Sequence, residues 1–203
     1  MYELKNNELD KIIEKEEPEG VEFFLMADER PYNGIESHKA AILFAMHIVN
    51  ENEKQNIKKA EELFGKEYAD QLHLFTCEIS KAKAKRIDPN EFLFVPEVLN
   101  KGYYGNKKYD SDWFPNDENC GKQVPYWYAF LEPPHGTGYR PEDLRRVNEV
   151  LFPDGAEGLE AYEWTTDWSD FFDAGHEWWG ASCWSVYDSR RNRFVVLLAS
   201  ATD

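Results

Sequence analysis

The sequence predicts an α+β fold in which N-terminal helices pack with a C-terminal antiparallel sheet. Two observations carry this reading. Apolar residues from Ile35 onward recur at helical spacing, and from Leu159 to the end short apolar runs alternate with turn signals. The closing pair of runs, on either side of Asp188 to Asn192, is the strongest hairpin signal in the chain.

The elements are expected in the following order. Leu4 to Glu17 is helix-prone, with Leu9, Ile12 and Ile13 as its apolar stripe, and Pro18-Glu19-Gly20 ends it. Val21 to Ala27 reads as a strand and Arg30 to Gly34 as a turn. A helix runs from Ile35 to about Asn50, where Ala41, Phe44 and Ile48 define one face. Asn50 to Gln55 is a polar break, followed by a second helix to Phe64 and a third from Lys66 to about Arg86. There Lys81, Lys83, Lys85 and Arg86 suit a helix C-terminus. Asp88-Pro89-Asn90-Glu91 is a helix start, with Asp88 as the cap. Residues 100–125 read as a long loop or irregular insert, Tyr126 to Leu131 as a buried strand, and Pro141 to Leu151 as a helix. The tail then gives a strand from Leu159 to Trp164, a helical turn from Asp167 to Asp173, and strands Ala181 to Tyr187 and Arg193 to Ser200.

The chain is expected to form one domain over 1–203, with a helical lobe at 35–100 and a β-rich part at 124–203. Hydrophobic residues make up 42% of it, enough for a packed core and against general disorder. The formal net charge is −16, unevenly distributed. Residues 35–108 are nearly balanced, whereas residues 141–203 hold five basic and thirteen acidic side chains. Direct nucleic-acid binding is disfavoured, because phosphates need cationic partners. A basic protein partner complements such a field, with plain solubility as the competing account. Cys77, Cys120 and Cys183 form no C-x-x-C pair, so neither a disulfide framework nor a structural zinc site is expected. The start lacks a signal-peptide pattern and no stretch approaches a membrane span, which points to a cytoplasmic protein; separately, no cofactor is expected.

The densest chemistry lies between Glu160 and Tyr187. Six carboxylates and five of the seven tryptophans fall there, with no Lys or Arg. Indoles favour burial and unpaired carboxylates resist it, so the segment should divide into a packed side and a wet, negative side. On that side Asp167, Asp170, Asp173 and Glu177 are expected to steer a basic partner, and Trp178 or Trp179 to anchor it. A second reading gives Asp170, Asp173, His176 and Glu177 to a metal that assists hydrolysis. Caps compete with it: Thr166 or Asp167 can cap the turn, Asp170 can complete a capping box, and Gly175 can close it in the left-handed conformation. A third reading stacks sugars on exposed tryptophans, with pairs such as Glu163 and Asp167 supplying acid–base chemistry.

Weaker candidates are a Cys120–His135 pair and the histidines His38, His47 and His73, which in helical context read as interfacial or solvated. No nucleotide-binding glycine motif and no nucleophile elbow is present.

Three groups of residues carry a resemblance: Trp164-Thr165-Thr166-Asp167-Trp168-Ser169-Asp170, Gly175-His176-Glu177-Trp178-Trp179-Gly180, and the closing Ala199-Ser200-Ala201-Thr202-Asp203. In these the tail from Tyr162 resembles the ends of small, functionally uncharacterised bacterial proteins. The resemblance implies a bacterial origin and brings no activity. Among small acidic proteins of that kind, toxin-neutralising immunity proteins supply the most concrete expectation: an inhibitor of a toxin or nuclease.

Overall fold

The computed structural model describes residues 1–13, 20–97 and 123–202. Among them six strands form one antiparallel sheet: β1 (Tyr2–Glu3), β2 (Glu22–Ala27), β3 (Ala84–Ile87), β4 (Leu159–Trp164), β5 (Ala181–Asp188) and β6 (Arg193–Ser200). Their spatial order is β1-β2-β6-β5-β4-β3. The helices are α1 (Asn7–Ile13), α2 (Ile35–Phe64), α3 (Lys66–Ala69), α4 (Pro89–Phe92), α5 (Tyr126–Leu131) and α6 (Pro141–Leu151). The fold is α+β, and the C-terminal hairpin forms the middle of the sheet. Two strands from the N-terminal part extend it on one side. No helix among the described residues is long and apolar enough to cross a membrane.

The sheet is covered on both faces. Along β6, Phe194, Val196 and Leu198 pack with α2, while Val195, Leu197 and Ala199 pack with α1, α5 and α6. Alternation in a strand sends successive side chains to opposite faces, so a run apolar at every position needs a layer on each side. Helix α2 supplies one layer through His38, Ala41, Ile42, Ala45, Met46 and Val49, all buried and spaced as a single helical stripe. Helix α6 supplies much of the other through Leu144, Val147 and Leu151. Its first turn is fixed by Pro141 at the opening position and by Asp143, whose carboxylate accepts from Arg140 N at 3.0 Å.

Three local expectations are corrected. No break occurs between Asn50 and Gln55, and α2 runs unbroken to Phe64. That segment has neither Gly nor Pro, and Glu51 pairs with Lys54 one turn on at 2.6 Å. The Asn50 amide meanwhile exchanges two hydrogen bonds with the Phe75 backbone, at 2.8 and 2.9 Å. Gly65, at φ 88°, ends the helix and separates it from α3. The third helix ends at Ala69 and does not reach Arg86. A 3-10 turn, Ile79–Lys81, leads into β3, because Ala82 and Ala84 alternate inward with Lys83 and Lys85 outward at a strand's period. Tyr126 to Leu131 is helix α5 rather than a strand. Five of its six residues are buried, and a run apolar on all sides carries no period to read.

The Asp88 cap stands as expected, accepting from Asn90 N at 2.7 Å. The predicted loop over 100–125, apart from its last three residues, lies outside the described residues, as do Cys120 and the end of the first predicted helix.

Candidate functional site

The connection from β4 to β5, residues 165–180, carries most of the predicted site. Its footing is aromatic. Trp168 and Phe172 are fully buried within the α2-side core, beside Trp164 of β4. Burying an indole removes on the order of 200 Å² from water, worth at most roughly 5 kcal/mol before conformational entropy is counted. Backbone bonds hold the connection to the chain ahead of β3, with Glu78 N donating to Trp168 O at 2.6 Å. Gly175 is required by close approach and not by a left-handed turn: a Cβ there would stand 2.7 Å from Ala181 N. Gly180 is tighter still, since its Cβ would meet Ala201 O at 1.7 Å.

The predicted residues divide between footing and surface. Asp170 belongs to the footing. Its two oxygens accept from Thr76 N at 2.7 Å and from Thr76 Oγ1 at 3.0 Å. The expected caps Thr166 and Asp167 do not cap the turn; Ser169 does, accepting from Phe171 N at 3.2 Å. Thr166 instead meets His176 Nε2 at 2.8 Å, which turns that ring back onto the connection. Trp179 is partly buried and donates its indole N–H to Glu132 O at 2.8 Å.

Asp167, Asp173, Glu177 and Trp178 are exposed, the last with 37% of its surface open. Asp173 stands 3.8 Å from His176 Nδ1, and Glu177 accepts from Thr202 Oγ1 at 3.2 Å. Glu160 and Glu163 leave the acidic surface, because Arg86 and Lys85 on β3 pair with them at 3.4 and 3.3 Å.

Asp170, Asp173, His176 and Glu177 do not converge. Among the described residues no three of His, Cys, Asp and Glu come together closely enough to hold a metal ion. Among the described residues the thiols offer no activated nucleophile either: burial pushes both Cys77 and Cys183 up from the ordinary value.

A second polar constellation, unseen in the sequence, lies between α2 and the sheet. Glu160, Tyr162 and Trp164 alternate along β4, and Ser185 stands opposite Tyr162 on β5, so all four face α2. His38, wholly buried, joins them from the helix. Trp164 Nε1 donates to Ser185 Oγ at 2.7 Å, and Ser185 Oγ lies 2.8 Å from His38 Nδ1. His38 Nε2 lies 3.1 Å from the Tyr32 hydroxyl, which donates to Glu160 Oε1 at 2.5 Å. Tyr162 donates to the same carboxylate oxygen at 3.1 Å.

Both ends fix the order of hydrogens along this chain. An ionised carboxylate only accepts, so the single Tyr32 proton points to Glu160 and the Tyr32 oxygen accepts from His38 Nε2–H. An indole only donates, so Ser185 accepts from Trp164 and gives its own proton to Nδ1. His38 is therefore the neutral Nε2–H tautomer. Burial agrees, lowering its pKa from 6.5 to about 4 although the Glu160 charge pulls the other way. Burial raises Glu160, but hydrogen bonds from Tyr32 and Tyr162 and the charge of Arg86 outweigh it and leave Glu160 below its ordinary value. Tyr32 is raised by burial and by the adjacent Glu160. The sequence held one signal for this cluster: His38 lies on the same stripe as Ala41, Ile42 and Ala45, which a solvated histidine would not.

No protein-family model, curated protein or solved structure matches the chain. The functional reading therefore rests on this geometry.

Proposed function

We propose that the β4–β5 connection is a docking surface for a basic protein partner, and that the protein is an acidic binding protein. An immunity-type inhibitor of a toxin or nuclease, acting in the cytoplasm, is the most concrete form of this reading. One observation carries it. A single connection, pinned from beneath by Trp168, Phe172 and the Asp170–Thr76 bonds, presents Asp167, Asp173, Glu177 and Trp178 together at the surface. A rigid footing lowers the ordering cost of binding. The carboxylates steer a cationic surface and the indole offers it a ring to cover. The buried His38 chain is a structural element in this reading, since each hydrogen-bonding group in it already has a partner.

The test is a pull-down at low salt with the wild type and with Asp167→Asn/Asp173→Asn/Glu177→Gln. A basic protein should be recovered by the wild type and lost as salt is raised. The triple variant should associate roughly tenfold more slowly, whereas Trp178→Ala should act on dissociation. Recovery of no basic protein, or equal recovery by the triple variant, overturns the reading. The metal-assisted and sugar-binding alternatives find less support among the described residues, the first because its four residues do not converge and the second because Trp178 is the one exposed indole there and makes a poor platform alone.

A further inference from the structure

We infer that the protein pairs with a second copy of itself through the end of α2 and the start of α3. Leu63, Phe64 and Tyr68 crowd there at the surface, with 74%, 69% and 48% of their area open. Leu63 and Phe64 are the two most open large apolar side chains among the described residues. Phe64 and Tyr68 lie together with ring centroids 5.2 Å apart, so the apolar surface continues past Gly65. The three side chains leave on the order of 350 Å² in water, which covering would remove.

Charge identifies the occupant. Lys58, Lys59, Glu61, Glu62, Lys66 and Glu67 neighbour this centre in the chain, all exposed, and none has an ion-pair partner among the described residues. Their charges cancel, in a chain whose net charge is −16. A strongly cationic or anionic partner gains nothing from a balanced rim. A two-fold contact presents the same patch from both sides and needs both signs. The order along α2 supplies the match: Lys58 and Lys59 precede the inward-packed Ala60, and Glu61 and Glu62 follow it. Two copies of this turn crossing antiparallel set the lysines of each against the glutamates of the other. Within one copy the same charges are poorly placed. Lysine ahead of glutamate is the weaker order for a helical pair, and Glu61 and Glu62 fall in the last turn, where the helix dipole disfavours acids. This patch shares no residue with the acidic docking surface, and pairing is measured without any other partner.

The experiment is sedimentation velocity of the full chain from about 1 µM to about 1 mM, a range that captures weak association. Physiological salt limits repulsion between acidic copies to ~8 Å. A contact below about 1,200 Å² in total makes a weak complex, so the mass should move from one chain toward two with a dissociation constant of about 50 µM. Leu63→Ser/Phe64→Ser should raise that constant about tenfold, while the unfolding midpoint holds because both side chains are exposed. Lys58→Glu/Lys59→Glu and Glu61→Lys/Glu62→Lys should each stay single alone, and an equimolar mixture of the two should pair. A wild type that remains single throughout the range, a serine variant that pairs as tightly as the wild type, or a mixture no tighter than either charge variant alone each overturns the inference.

Discussion

The Tyr32 hydroxyl reaches Glu160 Oε1 at 2.5 Å and so ties the turn ahead of α2 to strand β4, 128 positions away. The Tyr32 oxygen in turn accepts from His38 Nε2–H, and the Tyr32 ring stacks on Tyr187 of β5 with centroids 3.9 Å apart. Tyr32→Phe keeps the stacking and removes both hydrogen bonds. It should destabilise the protein by about 1–3 kcal/mol, because a buried imidazole N–H is then left without an acceptor. Urea unfolding measures this. A double-mutant cycle with Glu160→Gln should return a coupling of about 0.5–3 kcal/mol; a cycle that closes at zero would show that the bond contributes nothing.

Acid should weaken the fold through His38. Its folded pKa, about 4, lies below the ordinary 6.5, so the unfolded chain binds more protons between those values. Unfolding free energy therefore rises with pH across that window, by up to ~3 kcal/mol from this group alone. Glu160 adds a loss of the same sign at lower pH, since its folded pKa is depressed below the ordinary 4.5. Urea midpoints taken from pH 4.5 to 7.5 should climb in the wild type. The slope between pH 5 and 6.5 should flatten in His38→Gln; a slope unchanged by that substitution would falsify this assignment.

Two neighbouring aspartates should behave differently. Asp170→Ala removes the acceptor of two Thr76 bonds and should cost about 1–2 kcal/mol in thermal or urea unfolding. Asp173→Ala, at an exposed position, should stay within about 0.5 kcal/mol of the wild type. Only the second is then a clean probe of partner association.

Gly180→Ala should be among the most damaging single changes. Its methyl group would overlap Ala201 O, a backbone atom that cannot swing aside. A loss of about 3 kcal/mol is expected, from overpacking against main chain. Calorimetry showing a wild-type melting temperature would refute the close approach.

How much of this could be read in advance depended on whether a feature was local. The hairpin around Asp188 to Asn192, the α6 stripe of Leu144, Val147 and Leu151, and the Asp88 cap are written in adjacent residues, and each stands as expected. Segments apolar on every side, such as Tyr126 to Leu131, carry no period, and their form was set by packing among α6 and the sheet. The Ala-Lys alternation at 82–85 has a strand's period, but the same lysines also suit a helix C-terminus, so two local signals compete there. For the site, Asp167, Asp173, Glu177 and Trp178 lie at the surface, but Asp170 and Trp179 proved to hold the footing. Their partners, Thr76 and Glu132, are 94 and 47 positions distant and could not be inferred from neighbours. The His38 chain was hidden for the same reason, its Ser185 partner lying 147 positions away.

The pairing of β2 with β6 joins Phe24 to Val196, so strand partners are separated by about 170 residues, a long-range contact of the kind that slows folding. On a ribosome adding about 5–20 residues each second, the segment Phe23 to Met26 would emerge and then wait on the order of ten seconds or more for its mate. During that interval an oily ribbon stands bare, open to adhesion with other nascent chains. Holding factors that shield emerging polypeptides should therefore govern the yield of this protein more strongly than its final stability does.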